Sequence, residues 1–138
     1  MRKLLAALLL LAGSIPALAQ EASPGLELKL GEDDFRIYCS SCHGVDGKGM
    51  GPVAEYLILQ PADLTGLARR NGGKFPDALV ASIIDGRADV RAHGPRDMPV
   101  WGRYFRAEQT KGSSQIKEAD AQARIRALVA YLETLQAR

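Results

Sequence analysis

The sequence predicts an all-α domain with about four to five helices joined by long loops. Two segments, near residues 31–43 and 118–136, repeat apolar or small residues at spacings of three and four, the period of a helix face. Glycine and proline interrupt the chain between them. No segment alternates apolar and polar residues convincingly, as a half-buried strand does.

The first 19 residues have the pattern of a secretory signal peptide. The basic start Met1-Arg2-Lys3 precedes an apolar run from Leu4 to Ala12, and Ala17-Leu18-Ala19 is an A-x-A cleavage site. The apolar run is shorter than the roughly 20 residues that span a bilayer. We therefore expect export to the periplasm, removal of residues 1–19 and no membrane-spanning segment; an uncleaved N-terminal anchor is the alternative.

The remaining chain is formally neutral and has the length of one domain. Arg2 and Lys3 leave with the first segment, so 16 basic residues face 16 acidic ones. There is no basic tail, so we expect no nucleic-acid partner. We interpret residues 20–31 as a flexible lead, with Ser23-Pro24-Gly25 as a turn signal, and residues 32–138 as the folded domain.

The first helix is expected from about Glu32. Gly31, Phe35 and Cys39 recur at intervals of four and share one face of a helix, which favours close contact with another helix. The last helix, predicted over residues 118–136, is its expected partner. The apolar stripe of that helix is formed by Ala121, Ile125, Leu128, Leu132 and Leu135.

The middle of the chain reads as loops and short helices. We predict a loop over residues 47–52, a short helix or turn that starts at 61–65 and ends at 71–73, and a helix from Pro76 to Gly86. Residues 89–102 read as a loop and 106–117 as a polar insertion. The apolar face of the helix before Gly86 consists of Leu79, Val80, Ile83 and Ile84.

The run Cys39-Ser40-Ser41-Cys42-His43 is the attachment pattern for a covalent haem. Two thiols one helical turn apart can each add to a vinyl group, and the next imidazole then faces the iron. A zinc site is the first alternative, but it would need every Cys and His of the chain, His93 included. A redox disulfide is the second, although it would require a strand before the motif.

The chain resembles the class I, single-haem cytochromes c. The resemblance extends from Gly31 to Tyr131 and rests on Gly31, Phe35, the C-S-S-C-H-G block, Gly51-Pro52, the block 98–102 (M-P-V-W-G), Leu128 and Tyr131. It implies one haem c, with Cys39 and Cys42 as thioethers, and a cytochrome c fold whose first and last helices cross at Gly31. It also implies His43 and one methionine on opposite faces of the iron.

Met98 is the expected second ligand. A thioether is a soft, neutral donor that raises the potential of haem iron when it is paired with His. Met1 leaves with the signal peptide, and Met50, within about 23 Å of extended chain from His43, lies in a Gly-rich turn. Met98 precedes Pro99, which favours an extended backbone. Met50, His93 and an open site remain alternatives.

The resemblance also assigns roles around the ligands. The carbonyl of Pro52 would accept a hydrogen bond from the other ring nitrogen of His43. Trp101 would line the pocket or donate its indole N–H to a haem propionate. We expect Tyr56, Leu57, Leu64, Leu67, Ile83 and Ile84 to line the pocket or core.

The function expected from these residues is single-electron transfer rather than enzymatic catalysis. The partners would be redox proteins, including membrane-bound complexes, and the carrier would be a monomer. A subunit that admits electrons to a larger oxidoreductase, a haem peroxidase and a gas sensor are the alternatives. The stretch 69–106 suggests a basic docking patch, because its eight Lys and Arg (Arg69, Arg70, Lys74, Arg87, Arg91, Arg96, Arg103 and Arg106) outnumber its four Asp. A mixed, solvated surface explains the same composition.

Overall fold

A computed structural model describes residues 23–88 and 98–137, which form helices and loops without a strand. The helical pieces between Pro24 and His43 are continuous, and a 3₁₀ turn leads into the helix Leu67–Arg70. The described residues therefore form five helices and confirm the all-α prediction. The signal peptide, residues 20–22 and His93 lie outside the described residues. The bounds are α1 (Pro24–Asp34), a π-helical turn (Phe35–Cys39), α2 (Ser40–His43), α3 (Leu67–Arg70), α4 (Asp77–Asp85), α5 (Trp101–Glu108) and α6 (Ser114–Thr134), with 3₁₀ turns at Ala54–Tyr56 and Leu64–Gly66.

The interpretation of residues 20–31 as a flexible lead is wrong for residues 24–31, which form most of α1. Pro24 occupies the start of the helix, where its missing N–H costs no hydrogen bond. The carbonyl of Ser23 accepts hydrogen bonds from the N–H groups of Leu26 and Glu27. Ser-Pro-Gly is therefore the start of a helix and not a turn.

The loop predicted over residues 89–102 and the polar insertion predicted over 106–117 are also partly wrong. Residues 101–108 form α5, with Gly102 and Phe105 buried. α6 begins at Ser114, because the Ser113 hydroxyl accepts the N–H of Ile116 and caps the helix. The spacing of Trp101, Tyr104 and Phe105 is helical and was the signal for α5.

α4 and α6 follow most of the predicted pattern, although Leu79, predicted on the apolar face of α4, is 55% exposed. α4 follows Pro76 and ends at Gly86, whose φ of 79° is the left-handed conformation of a helix C-terminus. α6 buries the stripe Ala121, Ile125, Leu128 and Leu132. Within the described residues, no helix is long and apolar enough to cross a membrane.

The crossing of α1 and α6 at Gly31 is confirmed. A Cβ on Gly31 would overlap the carbonyl oxygen of Ala127 and lie 2.9 Å from Cβ of Tyr131. One turn later, Phe35 is fully buried, and its ring centroid lies 5.4 Å from that of Tyr131. The absence of a side chain at position 31 therefore permits backbone contact and buries the next aromatic residue.

Arg124 joins α1, α5 and α6 through its guanidinium group. Its Nε and Nη2 each lie 2.8 Å from a carboxylate oxygen of Asp34, and Nη1 lies 2.7 Å from Glu108. The guanidinium carbon lies 4.0 Å from the ring centroid of Phe105. We call Arg124, Asp34 and Glu108 the Arg124 cluster.

A second ionic group joins α4, α5 and α6, and we call it the Asp85 cluster. Arg106 pairs with Asp85 at 2.8 Å and with Glu118 at 2.5 Å. Arg87 pairs with Asp85 and lies 2.9 Å from Glu118. Gln122 donates to Glu118 at 3.0 Å. The side chain of Asp85 is only 5% exposed, so its charge depends on these cations.

We predict that Gly31→Ala lowers the free energy of unfolding by about 1–3 kcal/mol, because the helices must separate to admit a methyl group. Urea unfolding of the holoprotein measures this change. Gly25→Ala is the matched control in the same helix, since nothing lies within 4 Å of a Cβ at that position. We expect the control to leave stability unchanged or to raise it by up to about 1 kcal/mol. Equal losses in both variants would contradict the close crossing.

The Asp85 cluster predicts an acid dependence of stability. The hydrogen bond from Arg106 lowers the pKa of Glu118 from 4.5 to about 2. Its ionised form is thus favoured by folding, and this stabilisation is present above pH 4.5 and is lost as the pH falls towards 2. We expect Glu118→Gln to reduce stability at pH 7 and to flatten the acid limb of the stability curve. The exposed Glu133 of the same helix gives the control variant Glu133→Gln, which should keep the wild-type slope in pH-dependent urea unfolding.

Candidate functional site

The Cys39–His43 turn follows the π-helical turn at the end of α1. The N–H of Ser40 donates to the carbonyl of Phe35, one residue further back than in an α-helix, and the Ser40 hydroxyl donates to the carbonyl of Arg36 at 2.6 Å. The extra residue shifts the positions of Cys39 and the residues after it around the helix axis, relative to an uninterrupted α-helix.

The loop predicted over residues 47–52 folds back onto α2 and satisfies its last carbonyls. Gly49 donates to the carbonyl of His43 at 2.7 Å and Gly51 to that of Cys42 at 3.0 Å. A Cβ on Gly51 would overlap the carbonyl oxygens of Ser40 and Ser41. The glycines therefore let this loop hold the turn against its own backbone.

A cavity of about 400 Å³ brings the predicted thiols and ligands together. Cys39, Cys42 and His43 contribute to its wall, and so does Met98. Most of the remaining wall is apolar, which suits a large planar ligand and excludes water. The cavity is also lined by Tyr38, Arg70, Trp101, Leu128 and Leu132, together with the predicted Leu57, Leu64, Leu67, Ile83 and Ile84.

The ring of His43 is oriented by Ala62 and not by Pro52. Its Nδ1 lies 3.0 Å from the carbonyl oxygen of Ala62, and because that oxygen only accepts, Nδ1 carries the proton. Burial lowers the pKa of His43, which favours the neutral ring. Nε2 is then the lone-pair donor available for a metal.

The prediction for Pro52 failed because another segment reaches the imidazole. Gln60 donates to the carbonyl of Gly49 at 3.0 Å, and Leu64 donates to that of Gly47 at 2.7 Å. These bonds place residues 60–64 along the loop, with Ala62 beside the ring. Pro52 instead borders a small surface depression that Met50 and Gln60 also line.

The two thiols lie half-buried in the cavity wall. Burial raises the pKa of the Cys39 thiol to about 12, and the nearby Asp34 carboxylate adds to the effect. Cys39 and Cys42 are not joined as a disulfide. Both sulfurs therefore remain available for thioether bonds to a ligand in the cavity.

The methionines differ in position. Met98 is half-buried at the cavity, whereas Met50 is 74% exposed and its sulfur lies 3.1 Å from Nε2 of Gln60.

The prediction that Tyr56 lines the pocket or core is wrong, because its side chain is 78% exposed. Trp101 lines the cavity, and its ring lies 5.5 Å from that of Tyr38.

Sequence reasoning missed three contributors to the cavity. Tyr38, which directly precedes Cys39, lines the wall. Arg70 lies on the wall and donates to the carbonyl of Asp63. Ala62 contributes only its backbone, which has no sequence signature.

The donor set fits a haem group. Two thiols, an imidazole and a thioether line one largely apolar cavity, which matches the tethers and ligands that haem c needs. Among the described residues, no three His, Cys, Asp or Glu side chains are grouped as a metal site. His93, which the zinc alternative also requires, lies outside these residues.

The chain matches the family model described as cytochrome c oxidase, cbb3-type, subunit III over residues 27–132. No curated protein and no solved structure matches it. The matched region contains α2, all four residues named above as tethers or ligands, and most of α6. The chain therefore belongs to this family of c-type cytochrome domains, whose members transfer electrons with a covalently bound haem c and its iron.

Proposed function

We propose that His43 and Met98 are the axial ligands of the haem iron and that the protein is an exported single-electron carrier. The observation that supports this proposal is the position of Met98 on the same cavity as Cys39, Cys42 and His43. With both side chains bound, the iron would keep no position for a substrate. When bound, haem c supplies a one-electron couple between Fe(III) and Fe(II).

The chain's own residues prepare the site for this couple. The Ala62 carbonyl holds His43 in one tautomer, and Met98 is a neutral donor that favours the reduced metal. The apolar wall keeps water out, and the packing of α1 against α6 limits rearrangement between the two oxidation states. Trp101 lines the cavity, with its indole N–H as a donor to a haem propionate.

Two further features support export and a redox-protein partner. The signal pattern of residues 1–19 supports delivery to the periplasm, where a diffusing carrier meets membrane-bound complexes. The surface that meets the partner is expected beside the opening of the cavity. Arg70 lines the cavity and is exposed. Arg69 and Lys74, close to it in the sequence, are also exposed.

Two members of the basic docking patch suggested by composition are neutralised by ion pairs. Arg87 and Arg106 are paired with Asp85 and Glu118, and Arg91 and Arg96 lie outside the described residues. We propose that Arg69, Arg70 and Lys74 form the part of the surface that speeds encounter with an acidic partner. This set is called the basic rim.

A second candidate function is electron entry into a larger oxidoreductase. The matching family is named for an oxidase subunit, which favours this alternative. The ligands and the cavity would serve both functions equally. Stable copurification with a larger enzyme, from cells that make the protein at native levels, would identify the subunit; recovery as a free protein supports the carrier.

We predict that the oxidised holoprotein has a sulfur-to-iron charge-transfer band that Met98→Ala abolishes, because this variant removes the only thioether that lies on the cavity among the described residues. The reduced wild type should bind carbon monoxide slowly or not at all, whereas Met98→Ala should bind it rapidly. Met50→Ala is the matched control and should behave as wild type. A band that persists in Met98→Ala would overturn the ligand assignment, and rapid complete binding by wild type would favour a sensor or peroxidase.

The basic rim predicts a charge preference for small redox reagents. The reduced protein should be oxidised by anionic ferricyanide at a rate that falls as ionic strength rises. Its oxidation by a cationic cobalt(III) complex should instead become faster as ionic strength rises. A double variant, Arg69→Gln with Lys74→Gln, should weaken both trends. Arg126→Gln, on the surface of α6, is the control. If the oxidation rates of the wild-type protein did not depend on ionic strength, the proposed role of the basic rim would be wrong.

A further inference from the structure

Met98 lies in the stretch between α4 and α5, residues 86–100, which we call the Met98 segment. The structure describes the two ends of this segment, and they are in contact. A Cβ on Gly86 would overlap Cγ1 of Val100 and lie 3.0 Å from Cγ2. A Cβ on Gly102 would overlap Oδ1 of Asp85 and lie 2.7 Å from Nη1 of Arg106. Residue 86 therefore packs on residue 100, and residue 102 packs on residue 85. Met98 lies two residues from this closed base.

The Asp85 cluster occupies the base of the segment. Asp85 is the last residue of α4, and Arg106 lies in α5, one turn beyond Gly102. Their ion pair at 2.8 Å joins the two helices between which the segment runs. Glu118 of α6 binds Arg106 from the other side, so the base is fixed to the longest helix.

Burial makes this ion pair structurally important. A carboxylate that is only 5% exposed is tolerated where cations and donors compensate its charge. Arg106, Arg87 and Gln122 provide that compensation. Loss of the Asp85 charge leaves Arg106, itself 28% exposed, without one of its two carboxylates. The two ends of the segment then lose this ion pair, while Arg106 and Arg87 keep their contacts with Glu118.

We propose that Asp85 is a positioning residue for the second iron ligand: its ion pair with Arg106 closes the base of the Met98 segment and keeps the thioether directed at the cavity. This inference rests on the proposed ligation by Met98. It concerns a contact in which neither partner touches the iron. Closing the base in advance reduces the loop entropy that ligation by Met98 would otherwise have to overcome.

The Arg124 cluster supplies a matched comparison. It also joins three helices through a guanidinium group and a mostly buried carboxylate, Asp34, which is 15% exposed. It involves α1 and the far end of α5. The atoms nearest to a Cβ at positions 86 and 102 belong to Val100, Asp85 and Arg106 and not to this cluster. Asp34→Asn should therefore destabilise the fold without changing the position of Met98.

The test compares Asp85→Asn with Asp34→Asn in the holoprotein, at a temperature where far-UV circular dichroism shows both variants folded. We expect Asp85→Asn to lose most of the sulfur-to-iron band and to bind carbon monoxide, when reduced, at least about tenfold faster than wild type. Its reduction potential should fall as the thioether dissociates. Asp34→Asn should keep the band, the slow binding and the potential, although its unfolding midpoint falls.

Each outcome separates the positioning role from the ligation on which it rests. A wild type without the band overturns both. A wild type with the band, together with an Asp85→Asn variant whose band and binding rate match those of Asp34→Asn, overturns the positioning role alone. If Asp85→Asn fails to fold, Gly102→Ala displaces the same carboxylate without removing its charge. Loss of the band in that variant supports the proposal, and its retention contradicts it.

Discussion

Backbone contact between α1 and α6 at Gly31 is the constraint on which the rest of the structure depends. α1 leads into the turn that carries Cys39 and His43, and α6 contributes Leu128 and Leu132 to the wall of the same cavity. The separation of the two helices therefore affects how the thiols and these leucines are placed around the cavity. A side chain at position 31 would widen the separation and loosen the packing around Phe35.

The parts of the fold that sequence reasoning predicted are those with local causes. The helical stripe of α6, the left-handed stop at Gly86 and the Cys39–His43 turn each depend on residue types within a few positions. Met98 also lies on the cavity, as expected for a ligand. The starts of α1 and α6 were placed too late, since proline and serine were interpreted as loop residues and not as helix caps.

The parts that could not be predicted depend on partners far apart in the chain. Ala62 reaches His43 because hydrogen bonds from Gln60 and Leu64 fix the intervening loop, and a backbone carbonyl carries no side-chain signal. The charge of Arg106 counts towards a basic patch in the sequence, but in the fold Asp85 and Glu118 neutralise it. Net charge along a stretch thus says little about surface charge when three helices share their ion pairs.

The half-buried thiol of Cys39 has a consequence for how the mature protein is made. A raised pKa leaves less of the thiol ionised at neutral pH, and the thiolate is the reactive form. In an unfolded chain the thiol is accessible and this desolvation is absent. Covalent attachment is therefore chemically easier before the domain becomes compact than afterwards.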